Sequence, residues 1–557
     1  MEFLVIAVVG LVVIALSTLL GPRLGVAAPL LLVVIGVGAS LLPVFDGVLI
    51  EPEWILEGLL PPLLYSAAVS MPPMNFRREF GAISGLSVVL VVGTSLLLGL
   101  FFMLVLPDLG FAWGVALGAI ISPTDAVATS IVKRSPVSTR VVALLDGESL
   151  LNDATALVLL RTAILATASA FSFWGALGTF AYSVIVAVVV GGLVGALNLA
   201  GRQRVSDPTV NTVLSFTVPF LASIPAELLN GSGLVAAVVA GLVTGVRAPR
   251  ELSPQSRLSD AQNWRTVELV LEGIVFLTMG LQIESIVRDV IRDHDSVGIA
   301  LVAAGGALAL TVLIRAAFVA PLLYLLSQRA RRGSKRQDWL QSLQENMQSE
   351  DGMQTTRDMI SARSRRAPTE RDVARFRTRV TRALADMDFF LKQPLGWRDG
   401  AVVVWAGMRG AITVAAAQTL PEDAPQRPLL ILVAFIVALA SLLIQGGTMG
   451  ALVSALTRDA GPSEEDRAER EAEQVRIIEL LRDAGATIPE VERDDQAPRT
   501  EQFNAATGYR LAVLEAQRTA ILDARDDGTF AAELLENTLD DLDASQIAIE
   551  MRSTHVN

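Results

Sequence analysis

The chain has 557 residues, 52% of them hydrophobic and 18% charged, with a mean hydropathy of +0.51. That profile is that of a polytopic membrane protein and excludes an ordinary soluble multidomain enzyme. The formal charge of -12 is unevenly spread: residues 458–557 hold 24 acids against 11 bases, so 1–457 is close to neutral and the acidity belongs to the tail.

There is no cysteine, and the two histidines, His294 and His555, fall outside the apolar runs. No thiolate, disulfide or histidine site is therefore available inside a membrane. Met1 and Glu2 open an apolar run with no basic residue before it and no small-residue cleavage site after it, which reads as a retained span rather than a signal peptide. Runs of spanning length follow at 27–44, 53–71, 82–106, 110–132, 141–168, 173–199, 209–229, 231–246, 265–283, 297–327, 400–420 and 429–456. With the first, at 3–20, they make thirteen expected transmembrane helices, so the fold class is an all-α polytopic membrane protein.

Lysine and arginine collect in cytoplasmic loops. With the first turn inside, the short inner loops carry eleven of them, from Arg23 to Arg257, and the outer loops only Arg288, Arg292 and Arg427. The N-terminus is expected outside and the C-terminus in the cytoplasm.

Two polar regions remain. Residues 328–399 form an arginine-rich cytoplasmic loop within the transmembrane domain, 1–457, with 16 basic and 10 acidic residues and a helix-like stretch at 370–387. Its basic start at Arg329, Arg331, Arg332, Lys335 and Arg336 reads first as an ordinary solvated loop and second as a contact for anionic headgroups. Residues 458–557 show three helical patterns, 464–484, 504–526 and 530–551, the first two stopping near Gly485 and Gly528. They read as a small acidic helical domain whose regulatory partner the sequence does not name.

Polar groups inside two apolar runs single out candidate function. Ser122, Pro123, Thr124 and Asp125 sit in the fifth run, and Glu148, Ser149, Asn152 and Asp153 in the sixth. Ionisable groups at that depth cost at least about 2.5–3.5 kcal/mol each and are functional candidates. Pro123 removes a backbone donor and disfavours helix before it, so a break in mid-membrane is expected, with freed carbonyls lining a cavity. The bland alternative is a proline kink capped by an aspartate.

Ser149 and Asp153 are four apart and share a helix face, whereas Glu148 points elsewhere. Hydroxyl, carboxylate and backbone oxygens suit a small hard cation such as sodium, not a soft transition metal. Desolvation disfavours a charged carboxylate held out of bulk water, so proton and cation can compete for the same oxygens. Arg315 and Arg409 stand in apolar surroundings and need partners: Glu148 is the natural counter-ion for Arg315, and Arg409, near Gly407 and Gly410, marks a second expected break. For Arg161, snorkelling is the simpler reading. Breaks in corresponding positions of two halves are the sign of an inverted-repeat transporter.

SPTDAVA, GESLLNDATALV and the later GMRGA resemble the first monovalent cation:proton antiporter family, the sodium/proton exchangers, over most of residues 1–456. The resemblance implies that Asp153 holds cation and proton in turn beside Asn152, with Ser149 and the Thr124 backbone completing an Na+ site. It implies too that Glu148 pairs with Arg315, that Asp125 and Arg409 compensate broken-helix dipoles, and that a homodimer in the cell membrane exposes the site alternately. Ser66 stands where some relatives carry an acid, which leaves a third-span contribution open.

One titrating carboxylate implies electroneutral exchange of one cation for one proton. The expected partners are Na+, or K+ or Li+, with H+ and membrane lipid; no cofactor, enzymatic chemistry or nucleic acid is expected. Potassium/proton exchange is the runner-up and a cation channel the rival from another class. An intramembrane protease lacks its glycine-rich aspartate setting or its histidine.

Overall fold

The structure, a computed structural model, describes residues 2–42, 51, 53–106, 108–133, 135, 137–168, 173–292, 296–346, 354, 357, 369–457, 464–490 and 498–554. His294 and His555 lie outside the described residues, as do the side chains of Arg329 to Arg336. Every regular element among the described residues is helical. Two compact units emerge, one comprising 1–251, 259–323 and 396–459, the other 252–258, 324–395 and 460–557.

The first unit begins with α1 (Glu2–Leu24), α2 (Ala28–Ser40), α3 (Trp54–Ser70) and α4 (Pro73–Val105). The fifth expected span is split into α5 (Phe111–Ile121) and the short α6 (Val127–Val132). There follow α7 (Thr139–Ala168), α8 (Phe173–Arg202), α9 (Pro208–Leu228), α10 (Gly233–Glu251), α11 (Pro254–Leu281), α12 (Ile283–Arg292) and α13 (Val297–Asn346). After α14 (Glu370–Lys392), which belongs to the second unit, the first resumes with α15 (Trp397–Trp405), α16 (Ala411–Gln418) and α17 (Arg427–Thr457).

Among the described residues, nine helices are long and apolar enough to cross a membrane. The sequence reading of thirteen differs because α2, α3 and α5 are shorter apolar helices and the span at 400–420 is divided between α15 and α16. The flanks of α1, α8 and α13 expose Leu4, Val8, Leu19, Ile185, Val189, Leu197, Val302 and Leu313, an apolar surface that suits lipid rather than water. Helix α13 runs beyond its apolar stretch to Asn346, since no proline interrupts 322–346.

Small residues set the closest seams. Gly99 of α4 meets Gly114 and Val115 of α5, and a Cβ on Gly114 or Gly118 would strike the carbonyl oxygens of Gly99 and Ser95. Gly191 and Gly195 of α8 lie in the same way on Ala236 and Ala240 of α10. This is the small-residue packing that lets membrane helices associate through backbone contact. Around α10, Tyr65, Ala187, Val218, Ala222, Ala236 and Trp264 form a core in which the Trp264 indole donates to Ser215 Oγ at 3.0 Å. Asp207 caps α9 by accepting from the Thr209 and Val210 amides, with Pro208 in the first turn where its missing N–H costs nothing.

Basic residues counted with the inner loops are in part built into the fold. Arg140 is 3% exposed and bonds Glu79 at 2.5 Å, and the equally buried Arg202 pairs with Asp260 while donating to Asn211 Oδ1 at 2.7 Å.

The second unit contains α14 and three tail helices, α18 (Glu464–Ala486), α19 (Arg499–Asp527) and α20 (Ala532–Thr554). Its core gathers Ile477, Ile521, Ala524, Leu535 and Leu542. Helix α19 ends where Gly528 turns left-handed at φ 74°, a conformation glycine adopts without a steric cost. Arg518 donates to Asp543 Oδ1 at 2.8 Å and to Gln546 Oε1 at 2.6 Å, tying α19 to α20.

Candidate functional site: two crossing helix breaks

Two interrupted helices meet inside the first unit. Between α5 and α6 the chain leaves helix at Pro123, and between α15 and α16 it does so over 407–410. The extended stretches touch: the Asp125 amide donates to the Met408 carbonyl at 2.7 Å. Each break frees backbone groups that nothing in a membrane would otherwise satisfy.

Asp125 stands at two helix openings. Its Oδ1 accepts from the Val127 amide at 2.9 Å at the start of α6, and its carboxylate lies so close to Gly410, just before α16, that a Cβ there would collide with it. Arg409 stands at the two helix closings. Its Nε donates to the Ile121 carbonyl at the end of α5 at 2.9 Å, and Nη1 donates to the Gly407 carbonyl beyond α15. The Arg409 amide is satisfied by Ser441 Oγ at 2.9 Å, and Ser441 in turn donates to Gln445. An acid at the two amino ends and a base at the two carboxyl ends is the sign pattern helix dipoles favour.

Helix α7 lies beside the crossing and brings its own groups to it. Glu148 and Arg315 are each 2% exposed and form a bidentate pair, with Nη2 to Oε2 at 2.7 Å. Arg315 Nε also donates to the Val403 carbonyl at 2.9 Å. Thr124 links this pair to the next turn of α7: its hydroxyl donates to Glu148 Oε1 at 3.3 Å and accepts from Asn152 Nδ2 at 2.6 Å. The same amide reaches the Thr124 carbonyl at 3.5 Å. Glu148, which the helical spacing turned away from Asp153, therefore still communicates with the break through Thr124.

Asp153 is 3% exposed, and among the described residues its Oδ1 is buried with no hydrogen-bond partner, as is Asn152 Oδ1. It lies within electrostatic reach of Asp125. Ser149 is half-buried one turn away, and its hydroxyl donates to the Asp146 carbonyl of its own helix at 3.1 Å. Ser66 of α3 is 2% exposed and donates to Glu268 Oε2 at 3.2 Å. Arg161 keeps a largely exposed side chain, 3.9 Å from Glu227.

Glu268 and Glu272 of α11 are not among the residues the sequence motifs single out. The signal was present: two carboxylates four residues apart in an otherwise apolar run, the same argument that singled out Asp153. Ser441 and Gln445 were missed because their role exists only where α17 passes the second break.

An all-helical membrane protein with two interrupted helices crossing at buried charges is a secondary transporter in architecture. The sequence confirms it and narrows it: the transmembrane sodium/hydrogen exchanger family matches over residues 9–352 and 373–455, and the chain belongs to that family. It is 27% identical over 577 residues to an uncharacterised Na(+)/H(+) exchanger of Mycobacterium tuberculosis, covering 97% of this chain and 93% of that one. It is 26% identical over 463 residues to the Na(+)/H(+) antiporter ApNhaP of Aphanothece halophytica, covering 82% and 74%. To the low-affinity Na(+)/H(+) antiporter NhaS1 of a Synechocystis species it is 26% identical over 531 residues, covering 94% and 85%. Its fold is similar to the solved sodium proton antiporter MjNhaP1 of Methanocaldococcus jannaschii, with a TM-score of 0.55 at 16% identity, over 82% of this chain and 99% of that one.

Proposed function

We propose that this chain exchanges Na+ for H+ across the cell membrane, one for one, using the Asp153 carboxylate for both ions in turn. The observation that carries the proposal is the buried, unpartnered Asp153 Oδ1 beside two crossed helix breaks. A charged carboxylate without a partner in such surroundings costs several kcal/mol. Taking up either a proton or a small cation removes that cost, and each excludes the other.

Asn152 and Thr124 hold the neighbouring backbone, and the Thr124 carbonyl and Ser149 hydroxyl complete the oxygen set for Na+ once they turn from their present partners. Asp125 and Arg409 neutralise the helix ends at the two breaks. The Glu148–Arg315 pair is structural and neutral overall, so only Asp153 changes charge, which makes the exchange electroneutral. The dimer, the outside N-terminus and the cytoplasmic tail complete this reading, with K+ as the alternative cation, because selectivity rests on small differences in cavity size.

Reconstitution in proteoliposomes tests it. Sodium, potassium and lithium gradients are expected to move protons through the parent, with sodium fastest, and not through Asp153→Asn. Cation-coupled proton movement that survives Asp153→Asn removes the proposed site, and a current that follows membrane voltage removes the one-for-one ratio.

A further inference from the structure

The exchange cycle above leaves two acids of α11 without a role. Glu268 and Glu272 are half-buried on one face of the helix, four residues apart. Three other acids of this unit have a basic partner: Glu79 has Arg140, Glu148 has Arg315 and Asp260 has Arg202. Among the described residues neither Glu268 nor Glu272 forms an ion pair. What Glu268 has is a hydroxyl, that of the buried Ser66 on α3, donating to Oε2 at 3.2 Å and fixing the carboxylate against the neighbouring helix.

Their surroundings are charged. Glu268 feels Lys133, Arg265 and Asp146, and Lys133 bonds Asp146 at 2.9 Å with its own side chain 53% exposed. Glu272 lies within electrostatic reach of Glu268 and of Asp125, and Asp153 within reach of Asp125. Acids within electrostatic reach of one another thus include Asp146, Glu268, Glu272, Asp125 and Asp153, whose buried Oδ1 has no hydrogen-bond partner among the described residues. An acid that serves only the fold is paired where it stands, and two acids a turn apart with no basic partner leave room for a mobile monovalent cation.

We propose that Glu268, held by Ser66, is a specificity-determining residue of the exchange path, one that with Glu272 gathers the monovalent cation on its approach to Asp153. This rests on the exchange reading, and the position of Glu268 off the central crossing makes it a residue for cation capture rather than for the proton-carrying step. One unit charge roughly 10 Å away in surroundings of effective dielectric constant about 20 changes cation occupancy by about tenfold.

The test compares sodium-driven proton movement in proteoliposomes across a range of Na+ concentrations for the parent, Asp153→Asn, Glu268→Gln, Ser66→Ala and the double variant Ser66→Glu/Glu268→Ser. Glu268→Gln is expected to raise the KM for Na+ about tenfold and to lower the maximal rate by much less. Ser66→Ala, which removes only the anchoring hydroxyl, is expected to raise it about two- to threefold. The double variant, which returns a carboxylate to the same place from α3, is expected to restore most of the parent KM. A merely structural acid would lower rate or yield without moving KM. A parent-like KM in Glu268→Gln, or in Ser66→Ala should the first variant not fold, overturns the proposal. If the parent exchanges and Asp153→Asn does not, that failure belongs to Glu268 alone; if the parent itself moves no protons with sodium, the exchange reading falls as well.

Discussion

Replacing Arg315 by alanine isolates the contribution of the buried ion pair to the fold. Both Arg315 and Glu148 are 2% exposed, and their pairing uses both carboxylate oxygens. Removing one partner of such a pair leaves an uncompensated buried charge and costs about 3–5 kcal/mol. The Val403 carbonyl also loses its 2.9 Å donor, at about 1 kcal/mol. The Thr124 hydroxyl still donates to Glu148, which places the expected loss toward the lower part of that range. Replacing both residues, Glu148→Gln with Arg315→Met, removes the stranded charge and is expected to destabilise less than Arg315→Ala alone. Thermal melting of the detergent-purified protein, followed by size-exclusion chromatography, ranks the three chains, with membrane yield as the cellular counterpart. A double variant that melts no higher than Arg315→Ala would show that lost packing against Gly407, not the orphaned carboxylate, sets the cost. Normal melting with altered ion preference would refute the structural role outright.

Gly410→Ala drives a methyl group into the Asp125 carboxylate and should lower the melting point through overpacking worth about 1–3 kcal/mol, with loss of transport; a parent-like melt and rate would contradict the close approach. Thr124→Val deletes the acceptor for the buried Asn152 amide at a cost of about 1–3 kcal/mol, whereas Thr124→Ser should restore stability and exchange, so equal behaviour of the two variants would count against the hydroxyl link. In the tail, burial, then the neighbouring Asp523 and Asp526, hold the Asp527 carboxyl above the ordinary carboxylate range, with Arg382 acting the other way. Its folded form therefore keeps a proton that the unfolded chain loses sooner, so stability falls as pH rises past about 4. Asp527→Asn should slow amide hydrogen exchange in α19 at pH 7 and make little difference below pH 4, and the same protection at both pH values in the two chains would refute that sign.

How far the sequence could be read depends on whether a feature is local. Pro123 announced the first break because a missing N–H acts where it stands, and the glycines around Arg409 announced the second. The tail helices were legible within a few residues, since their apolar spacing and Gly528 are local signals. The hydroxyl of Thr124 was not, because its link between Glu148 and Asn152 arises only when the break is laid against α7. Arg140 and Arg202 looked like loop cations because a basic residue at a helix end gives no sign of the buried acid that another helix brings to it. Glu268 and Glu272 are hidden for a different reason: two acids leave the run around them apolar enough to read as an ordinary span, and the serine that anchors Glu268 comes from a distant helix.

The seam between α4 and α5 has a mechanical meaning. Where Gly99 and Gly114 meet there is no side chain to deform or change rotamer, so a slide of even a fraction of an ångström presses one main chain into the other. The two helices must travel together as a single plank. Any relative movement of these helices against their neighbours has to be taken up along joints cushioned by flexible side chains instead.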